Sequence, residues 1–543
     1  MSTADATTFE FAELGPEHLD GPATHLAAEL LRVGIERFYT VPGSPATAVA
    51  EELHRLGAWV RDARDEKSAA EAAVGAAAVG FGAAVVVKGN GASLALEPLQ
   101  NAAAHHIEAP LLLIVGDDVT SSSSTVPTDA RPLADAIGMP VLELIGPTTT
   151  RAVVTTAAGT SRAINAPVLL RFTATYHQAE GVPLLRWQPG STEPTRRAAT
   201  VLGHSEHRLT KDSRWDDYAH RRRTAAIAWA GRAPRVRQSG DGRLGVVVAG
   251  ALWASPVSDP LRELGLPTLV LSMLSPLPHE VVDFAAGLDE VLVLEEGESY
   301  LEQAVRNELS LRRSPCQVLG QQSLHVRPRG IRSVDELRAA MNGERVEDER
   351  PLEWKAGECA VDHPYTKLFA AIRDVRHRRT PLVCSCVGSA IGGTEWPWDI
   401  IDVALNLGGA INVAAGAADA SGRQAIALIG DYGLFHSGLG GHDQVYQHQA
   451  EVLTIVLANG RSDKTGGQNT PLAATMLPHE RSDLGQILRA SAGDKVQHLR
   501  LEDVSEHHLL ARIEEMLDDL PATLVIEVGT EVHIGTWSTK PEP

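Results

Sequence analysis

A sequence of 543 residues has room for about three or four domains of ordinary size. Its hydrophobic content of 43% and charged content of 22% are typical of a globular protein with an ample core. The formal net charge of −20 disfavours nucleic acid and anionic membrane surfaces as partners, because both attract basic faces. No apolar run reaches the roughly 18 residues of a membrane span, and the amino terminus lacks a signal-peptide pattern. The expected location is the cytoplasm.

Short apolar runs alternate with helical patterns over the first third of the chain. Helices are predicted over residues 22–33, 46–56 and from 65 onward, and strands over 37–41, 59–62, 83–87 and 111–115. A Gly-rich turn is predicted at 88–91, and the helix after it carries His105 and His106. This alternation is typical of a doubly wound parallel sheet, which we assign to a domain at residues 20–185.

The middle of the chain predicts a second α/β domain without obvious chemistry. Residues 185–240 are polar and are interpreted as a linker with a short helix, and a charged second linker is expected at 340–358. Between the linkers, strands are predicted at 245–248, 267–271 and 290–294. The segment has no nucleophile–base pair and no phosphate-binding glycine pattern, so the domain at 240–340 is assigned a structural role. Its acidic run at 295–298 is predicted to cap a helix.

The sequence contains four cysteines, Cys316, Cys359, Cys384 and Cys386. Ferredoxin-type clusters need four thiolates each, held in a tight run, so these cysteines are too few and too scattered for such clusters. Cys384 and Cys386 have the spacing of a redox or metal pair. They follow the start of an apolar strand, however, and we interpret them as small buried residues.

The strongest chemical signal lies between residues 426 and 471. A strand predicted at 425–429 is followed by Gly430 and Asp431, and a second strand at 452–457 is followed by Asn459. A right-handed crossover places the carboxyl ends of both strands at one edge of the sheet, where open α/β sheets bind ligands.

Oxygen atoms at that edge suit a magnesium ion, which takes only oxygen ligands and shares them with phosphates. Asp431, Asn459 and a loop carbonyl such as that of Arg461 would supply three ligands. Gly430 and Gly433 would let backbone N–H groups approach the phosphates. The alternative interpretation is an ordinary strand–turn–helix with a capping Asp.

The same stretch resembles the thiamine-diphosphate (ThDP) binding signature, in which Gly-Asp is followed by an Asn at the end of a later apolar strand. It is most similar to the α chain of indolepyruvate ferredoxin oxidoreductase, in the superfamily of ThDP-dependent 2-oxo acid:ferredoxin oxidoreductases. The matching motifs are Gly430-Asp431, Phe-His-Ser-Gly at 435–438, Asn459 and Thr-Gly-Gly-Gln at 465–468. One departure is Tyr432, because many ThDP enzymes have Gly after the Asp.

The first domain also resembles that of the indolepyruvate enzyme. Val-Pro-Gly-Ser-Pro at 41–45, Glu66 with Lys67, and Lys88 stand where the family has similar residues. Gly89 replaces a family His, and Ser122 replaces the first residue of a His-Ser-Ser motif. The resemblance implies three doubly wound βα domains, which are a pyrimidine-binding domain at 20–185, a transketolase C-terminal-like middle domain at 240–340 and a diphosphate-binding domain at 360–543.

The resemblance also assigns roles to individual residues. Glu66 would be the carboxylic acid that activates the aminopyrimidine ring, although a Glu in a first helical turn also fits a macrodipole contact. Glu71 lies about 140° around the helix from Glu66, so both cannot face the cofactor. Leu407 would support the folded shape of the cofactor, or simply belong to the core. The expected cofactor-binding set is Gly43, Glu66, Leu407, Gly408, Gly430, Asp431, Tyr432, Gly433, Asn459, Thr465 and Gly466.

His436 is the candidate catalytic histidine, because it alone matches a family motif. His105, His106 and His442 are equally compatible with the pocket, the surface or the core.

The implied reaction is attack on a 2-oxo acid, loss of carbon dioxide and an enamine intermediate, at sites shared by the subunits of a homodimer. The family extends past the end of this sequence into an iron–sulfur segment. The enamine would therefore pass its electrons to a redox partner, or would react without oxidation, for example in a carboligation. A catalytically silent scaffold is a further alternative, and the intact Glu66, Asp431 and Asn459 argue against it.

Overall fold

The computed structural model describes residues 21–104, 107–119, 126–179, 214–346, 363–529 and 532. His105, His106, Ser122 and Cys359 lie outside the described residues. The chain divides into two compact units, Met1–Glu349 and Arg350–Pro543. Among the described residues, no helix is both long enough and apolar enough to cross a bilayer.

The strands of the first unit form two sheets. They are β1 (Arg37–Thr40), β2 (Val60–Asp62), β3 (Ala83–Lys88), β4 (Leu111–Asp117), β5 (Val141–Glu143), β6 (Val168–Thr173), β7 (Arg235–Gln238), β8 (Leu244–Ala249), β9 (Thr268–Leu271), β10 (Met273–Ser275), β11 (Glu290–Leu294) and β12 (Gln317–Leu319). One sheet has the order β10-β5-β6-β4-β3-β1-β2 and is parallel except for β10. The other has the order β12-β11-β8-β9-β7 and is parallel except for β7.

Helices cover the faces of these sheets. They are α1 (Pro22–Arg32), α2 (Ala46–Arg55), α3 (Glu66–Ala78), α4 (Gly89–Ala104), α5 (Arg131–Ala136), α6 (Thr150–Ile164), α7 (Ala174–His177), α8 (Arg214–Arg221), α9 (Ile227–Ala230), α10 (Asp259–Glu263), α11 (Glu280–Ala285), α12 (Tyr300–Leu311) and α13 (Val334–Met341), with a π-helical turn at Arg222–Ala226. Alanine forms the buried face of α3, which lets this helix pack closely on the sheet and on α4.

The second unit is built on a six-stranded, fully parallel sheet with the order β14-β13-β15-β16-β20-β19. Its strands are β13 (Leu382–Ser385), β14 (Val403–Ala404), β15 (Ala425–Gly430), β16 (Val452–Ala458), β19 (Val496–Arg500) and β20 (Ala522–Glu527), and β17 (Arg461–Ser462) and β18 (Gln468–Asn469) form a small hairpin. Its helices are α14 (Thr366–Arg379), α15 (Ala410–Ser421), α16 (Asp431–Gly433), α17 (Leu439–Gln447), α18 (Leu484–Ala492) and α19 (Glu506–Leu517), with a π-helical turn at Leu434–Gly438. The parallel strands are continuous apolar runs because helices cover both faces.

These sheets confirm the predicted α/β class with doubly wound parallel strands. Two local predictions are wrong. Residues 88–91 are not a turn, because α4 starts at Gly89 directly after β3, where small residues let the helix begin against neighbouring side chains. Residues 235–238 are not linker but the edge strand β7, whose alternating exposed polar residues carry no core signal. The three domain ranges remain predictions, and β10 shows that residues 273–275 join the sheet of the first domain.

A buried ionic network holds the two sheets of the first unit together. Arg171 donates to Asp117 at 2.6 Å and to Glu143 at 2.7 Å. Arg131 donates to Glu295 at 2.8 Å and to Asp129 at 2.6 Å. The backbone carbonyl of Glu296 accepts from both arginines. These charged side chains are buried, and their mutual pairing offsets the free-energy cost of removing them from water.

Glu295 serves two purposes in this network. It accepts from the backbone N–H groups of Leu301 and Glu302, so it caps α12 as predicted, and it also pairs with Arg131. Burial raises the pKa of Glu295 to about 7, although Arg131 lowers it. A proton therefore stays on the folded protein at pH values where the unfolded chain has lost it.

The first prediction concerns stability against pH. Between the ordinary glutamate pKa and about 7, the folded state holds the Glu295 proton and the unfolded state does not, so stability falls as pH rises through this window. In the Glu295→Gln variant the free energy of unfolding should fall less between pH 5.5 and 8, by on the order of 2 kcal/mol. Melting temperatures at these two pH values measure the difference. The exposed Glu298→Gln variant is the control, and an unchanged decline in Glu295→Gln would contradict the prediction.

Candidate cofactor site

The centre of the second unit's site is the carboxylate of Asp431. Strand β15 ends at Gly430, and Asp431 opens the short helix α16 with only 1% of its surface exposed. One carboxylate oxygen accepts from the backbone N–H of Tyr432 at 2.7 Å. The other accepts from the N–H of Gly460 and the hydroxyl of Thr470, both at 2.9 Å. A carboxylate accepts about four hydrogen bonds, so one direction is left for a further positive group.

Asn459 follows the adjacent strand β16, which pairs with β15 through Gly430 and Leu457. Its amide nitrogen donates to Asp463 at 2.7 Å, and its amide oxygen accepts from the N–H of Arg461 at 3.2 Å. The sequence predicted that Asp431 and Asn459 follow adjacent strands, and the structure has this arrangement. It did not identify Asp463, which fixes the orientation of the Asn459 amide.

The electrostatics of this edge favour a cation. Burial raises the pKa of Asp431 to about 7; its three hydrogen-bond donors lower the pKa, and nearby Asp463 raises it. Burial also raises the pKa of Tyr365, and the charges of Asp431 and Asp463 add to that shift. Two carboxylates with the amide oxygen of Asn459 beside them form a set of oxygen donors of the kind that a hard divalent cation prefers.

An open pocket of about 490 Å³ adjoins this edge of the sheet. It is lined by Pro364, Tyr365, Asn459, Arg461, Asp463, Val528 and Gly529. The hairpin of β17 and β18 borders it and carries the predicted Thr-Gly-Gly-Gln motif. In that hairpin Thr465 donates to Gln468 at 2.6 Å, and Gly466 and Gly467 take φ values of +116° and +80° that favour glycine.

Leu407 and Gly408 form a turn that other side chains hold from two directions. Gly408 has a φ of +78°, and a side chain there would overlap the hydroxyl of Ser437. That hydroxyl donates to the carbonyl of Leu407 at 3.1 Å. Burial raises the pKa of the Cys386 thiol, whereas backbone N–H groups of Gly408, Gly409 and Ala410 donate to its sulfur and lower it. Cys386 thus lies at the N-terminus of α15, where it faces the N–H groups of Gly408, Gly409 and Ala410.

His436 lies in the π-helical turn that follows Asp431. It is buried, its ring lies 6.4 Å from that of Tyr432, and its Nδ1 is 3.0 Å from the hydroxyl of Ser437. His442, by contrast, bonds Ser491 and Thr523 inside the domain, and burial lowers its pKa to about 4. His442 is therefore a core histidine, and His436 remains the candidate.

Glu66 belongs to the first unit, where it is the first residue of α3 and is 7% exposed. The side chain of Asp65 caps the helix by accepting from Ser68 at 2.7 Å, so Glu66 is not needed as the cap. Glu71 is exposed and pairs with Lys67 at 2.6 Å. The two glutamates therefore differ as predicted, and Glu66 is the buried one.

Two glycines at the start of α4 contact acidic side chains. A side chain at Gly91 would overlap the Oε1 atom of Glu66, so the carboxyl of Glu66 lies directly against this backbone. A side chain at Gly89 would overlap Asp117 and Thr128, which explains why the family histidine cannot stand here. Gly43 is similarly close to Lys88, since an added carbon would lie 2.8 Å from the β-carbon of Lys88.

The structure therefore sorts the predicted residues into two groups. One group belongs to the second unit. The segments that follow β15 and β16 contain Asp431, Tyr432, Gly433, Asn459, Arg461, Thr465 and Gly466. In the same unit, Ser437 connects the turn of Leu407 and Gly408 to His436. Glu66 and Gly43 belong to the other unit. Sequence reasoning gave no site role to Gly91, Cys386, Ser437, Asp463 or Thr470. Gly91 stood in the predicted Gly-rich turn, Cys386 in the cysteine pair and Ser437 in the Phe-His-Ser-Gly motif.

Comparison with known proteins gives matches at both ends of the chain. The thiamine pyrophosphate enzyme N-terminal TPP binding domain matches residues 22–139, and the C-terminal TPP binding domain matches residues 396–528. Indolepyruvate oxidoreductase subunit IorA from Methanothermobacter thermautotrophicus is 26% identical over 88% of this chain and 81% of its own length. The Archaeoglobus fulgidus subunit of the same name is 23% identical over 82% of this chain and 75% of its own length.

A solved 2-oxoglutarate:ferredoxin oxidoreductase from Magnetococcus marinus is 16% identical, with a TM-score of 0.46 over 62% of this chain. The present chain spans 65% of that solved chain, which is less than two thirds.

The parallel sheets, the oxygen-rich strand edge and the two matched domains define a thiamine-diphosphate-dependent enzyme. Within that class, the chain is similar to indolepyruvate oxidoreductase subunits. The family resemblance predicted from the sequence motifs is confirmed.

The second prediction tests the contact between α4 and Glu66. Gly91→Ala should displace the carboxyl of Glu66 and lower ThDP-dependent turnover about 100-fold, because a misplaced catalytic group is costly. Gly75→Ala is the matched control, since this exposed glycine in α3 has open space around it and should leave turnover unchanged. Carbon dioxide release measures both variants. Equal rates in the two variants would show that the Gly91 contact is irrelevant.

The third prediction tests the sulfur that holds the Leu407 turn. Cys386→Ala should remove the sulfur that the N–H groups of Gly408, Gly409 and Ala410 face and cost about 1–3 kcal/mol of stability. ThDP affinity, measured by calorimetry with Mg²⁺, should fall roughly tenfold. Cys384→Ala removes a buried thiol from the same strand region and serves as the control. The interpretation fails if Cys386→Ala binds ThDP as tightly as Cys384→Ala does.

Proposed function

We propose that the chain binds ThDP and Mg²⁺ and decarboxylates a 2-oxo acid, passing the electrons to a separate redox partner. The observation that carries this proposal is the pairing of Asp431 and Asn459 on adjacent parallel strands, each with an acceptor direction to spare. Both side chains offer oxygen, which is what Mg²⁺ binds.

The residues of the second unit fit the metal and the diphosphate. Asp431, Asn459 and the carbonyl of Arg461 would hold Mg²⁺, and the buried Asp431 would keep a permanent negative charge once the cation is bound. The diphosphate would be bordered by Gly430, Tyr432, Gly433, Thr465 and Gly466. Leu407 and Gly408 would contact the rings of the cofactor, in the turn that Cys386 and Ser437 support.

Glu66 and His436 are the proposed proton-handling residues. Bound ThDP supplies the carbon nucleophile for attack on the 2-oxo carbonyl. Glu66 would hold a proton against the pyrimidine ring, in a buried position that Gly91 keeps open. His436, buried near Tyr432, would exchange a proton with the reacting groups.

The redox part of the proposal is supported by the names of the relatives, which are oxidoreductase subunits. Oxidative decarboxylation releases carbon dioxide and two electrons, and the acyl group then needs an acceptor such as a thiol. Cys384 and Cys386 are buried, and the described cysteines are free thiols. In this proposal the electrons pass to clusters on the redox partner. A cytoplasmic location is part of the proposal, and free thiols suit a reducing compartment.

We further propose a homodimer with the site shared between subunits, as the resemblance to ThDP enzymes implies. In a symmetric dimer each interface contributes the same residues twice, so two sites would form.

The fourth prediction tests both proposals. Glu66→Gln should bind ThDP and Mg²⁺ with calorimetric affinity near that of the unchanged chain, yet release carbon dioxide at least about 100-fold more slowly from 2-oxo acids. Asp431→Asn should lose ThDP affinity, and excess EDTA should reproduce that loss. A panel of 2-oxo acids is tested with and without a redox dye. Release that needs no acceptor would replace the oxidative proposal with a simple decarboxylase.

Mixing the two variants tests the shared site. Unfolded and refolded together, Glu66→Gln and Asp431→Asn should form mixed dimers with one intact site and regain about a quarter of the activity. Each variant refolded alone is the control. If the mixture stays inactive while both variants are dimeric by ultracentrifugation, the sites lie within single subunits.

A further inference from the structure

The hydroxyl of Ser437 bridges two residues of the proposed site. Its Oγ atom is 3.0 Å from Nδ1 of His436 and 3.1 Å from the carbonyl oxygen of Leu407. A carbonyl oxygen can only accept, so the single hydroxyl proton is donated to Leu407. The bond to His436 then requires a proton on Nδ1. In a neutral imidazole this leaves Nε2 without a proton.

The local backbone is built around this bridge. His436 and Ser437 lie in the π-helical turn at Leu434–Gly438, a geometry that is often found at functional sites. Gly438 lets the turn pack against β15, since an added carbon there would lie 2.6 Å from Ile429. Gly408 does the same on the other side, because any side chain would occupy the place of the Ser437 hydroxyl. Two glycines thus make room for one hydrogen-bonded link.

We propose that Ser437 is a positioning residue that fixes His436 in the tautomer with its proton on Nδ1 and so makes Nε2 the accepting nitrogen. The proposal rests on the proposed function, in which His436 exchanges protons with the reacting groups. The same hydroxyl ties His436 to Leu407, so the orientation of the histidine and the turn that contacts the cofactor are set together.

The fifth prediction concerns which ring nitrogen of His436 carries the proton, and NMR measures it. Solid-state ¹⁵N spectra of histidine-labelled full-length protein, with ThDP and Mg²⁺ present, should show His436 protonated at Nδ1. The signal is assigned by its loss in His436→Gln. In Ser437→Ala the proton should move partly to Nε2, because its acceptor is gone. Ser437→Thr should restore the original state, since residue 437 is exposed and the added methyl group meets solvent.

Turnover supplies the second readout. Ser437→Ala should lower kcat for carbon dioxide release about tenfold and leave KM for the 2-oxo acid within about twofold, and Ser437→Thr should recover most of the loss. Ser421→Ala is the matched control, because Ser421 is also exposed and donates to a backbone carbonyl, that of Ala417.

The spectra decide the inference independently of the enzyme assignment. A His436 proton on Nε2 in the unchanged chain, or a tautomer that Ser437→Ala does not alter, would overturn it. Loss of ThDP affinity alone, with the tautomer unchanged, would reduce Ser437 to a structural role and also overturn it. Failure of the proposed function appears separately, as absent ThDP binding or absent carbon dioxide release in the unchanged chain.

Discussion

The second unit depends on how a carboxylate is tolerated in its interior. An isolated buried charge is costly, and Asp431 reduces that cost by accepting hydrogen bonds from Tyr432, Gly460 and Thr470. Tyr432 is the next residue in α16, whereas Gly460 and Thr470 are distant in sequence, so one carboxylate ties the start of α16 to the chain on both sides of the β17–β18 hairpin. Burial still raises the pKa of Asp431 to about 7, which means that the hydrogen bonds alone do not balance the charge. A bound divalent cation would complete the balance and would explain why so polar a group is buried at a strand end.

At two positions a glycine lets the backbone lie directly against the side chain of a candidate site residue. Gly91 lies against Glu66 and Gly408 lies against Ser437, and at both positions a side chain would occupy space already taken. At Gly408 the φ of +78° adds a conformational reason for glycine. At Gly91 only the close contact with Glu66 requires glycine. The catalytic candidates of both units are therefore positioned by residues that have no side chain of their own, and such residues carry no chemical signal in the sequence.

The α/β class and the pairing of Asp431 with Asn459 were predictable from sequence, because buried parallel strands are continuous apolar runs and consecutive strands align their carboxyl ends. The start of α4 at Gly89 was not predictable, since glycine ordinarily indicates a turn and the reason for the helix is tertiary packing. Strand β7 was missed because an exposed edge strand lacks apolar alternation. Cys386 was predicted to be buried, but its role as an acceptor for the N–H groups of α15 depends on a turn distant in sequence.

The contacts of the second unit link the Leu407 turn to His436. Side chains with fixed partners surround the Leu407 turn, because Cys386 holds its N–H groups and Ser437 holds its carbonyl. A turn held on both sides loses little conformational entropy when a ligand binds, so more of the contact energy contributes to affinity. Because Ser437 also bonds His436, the order of the turn extends to this candidate proton acceptor. Glu66, in the other unit, is held by an independent contact, so each of the two candidate residues has its own support.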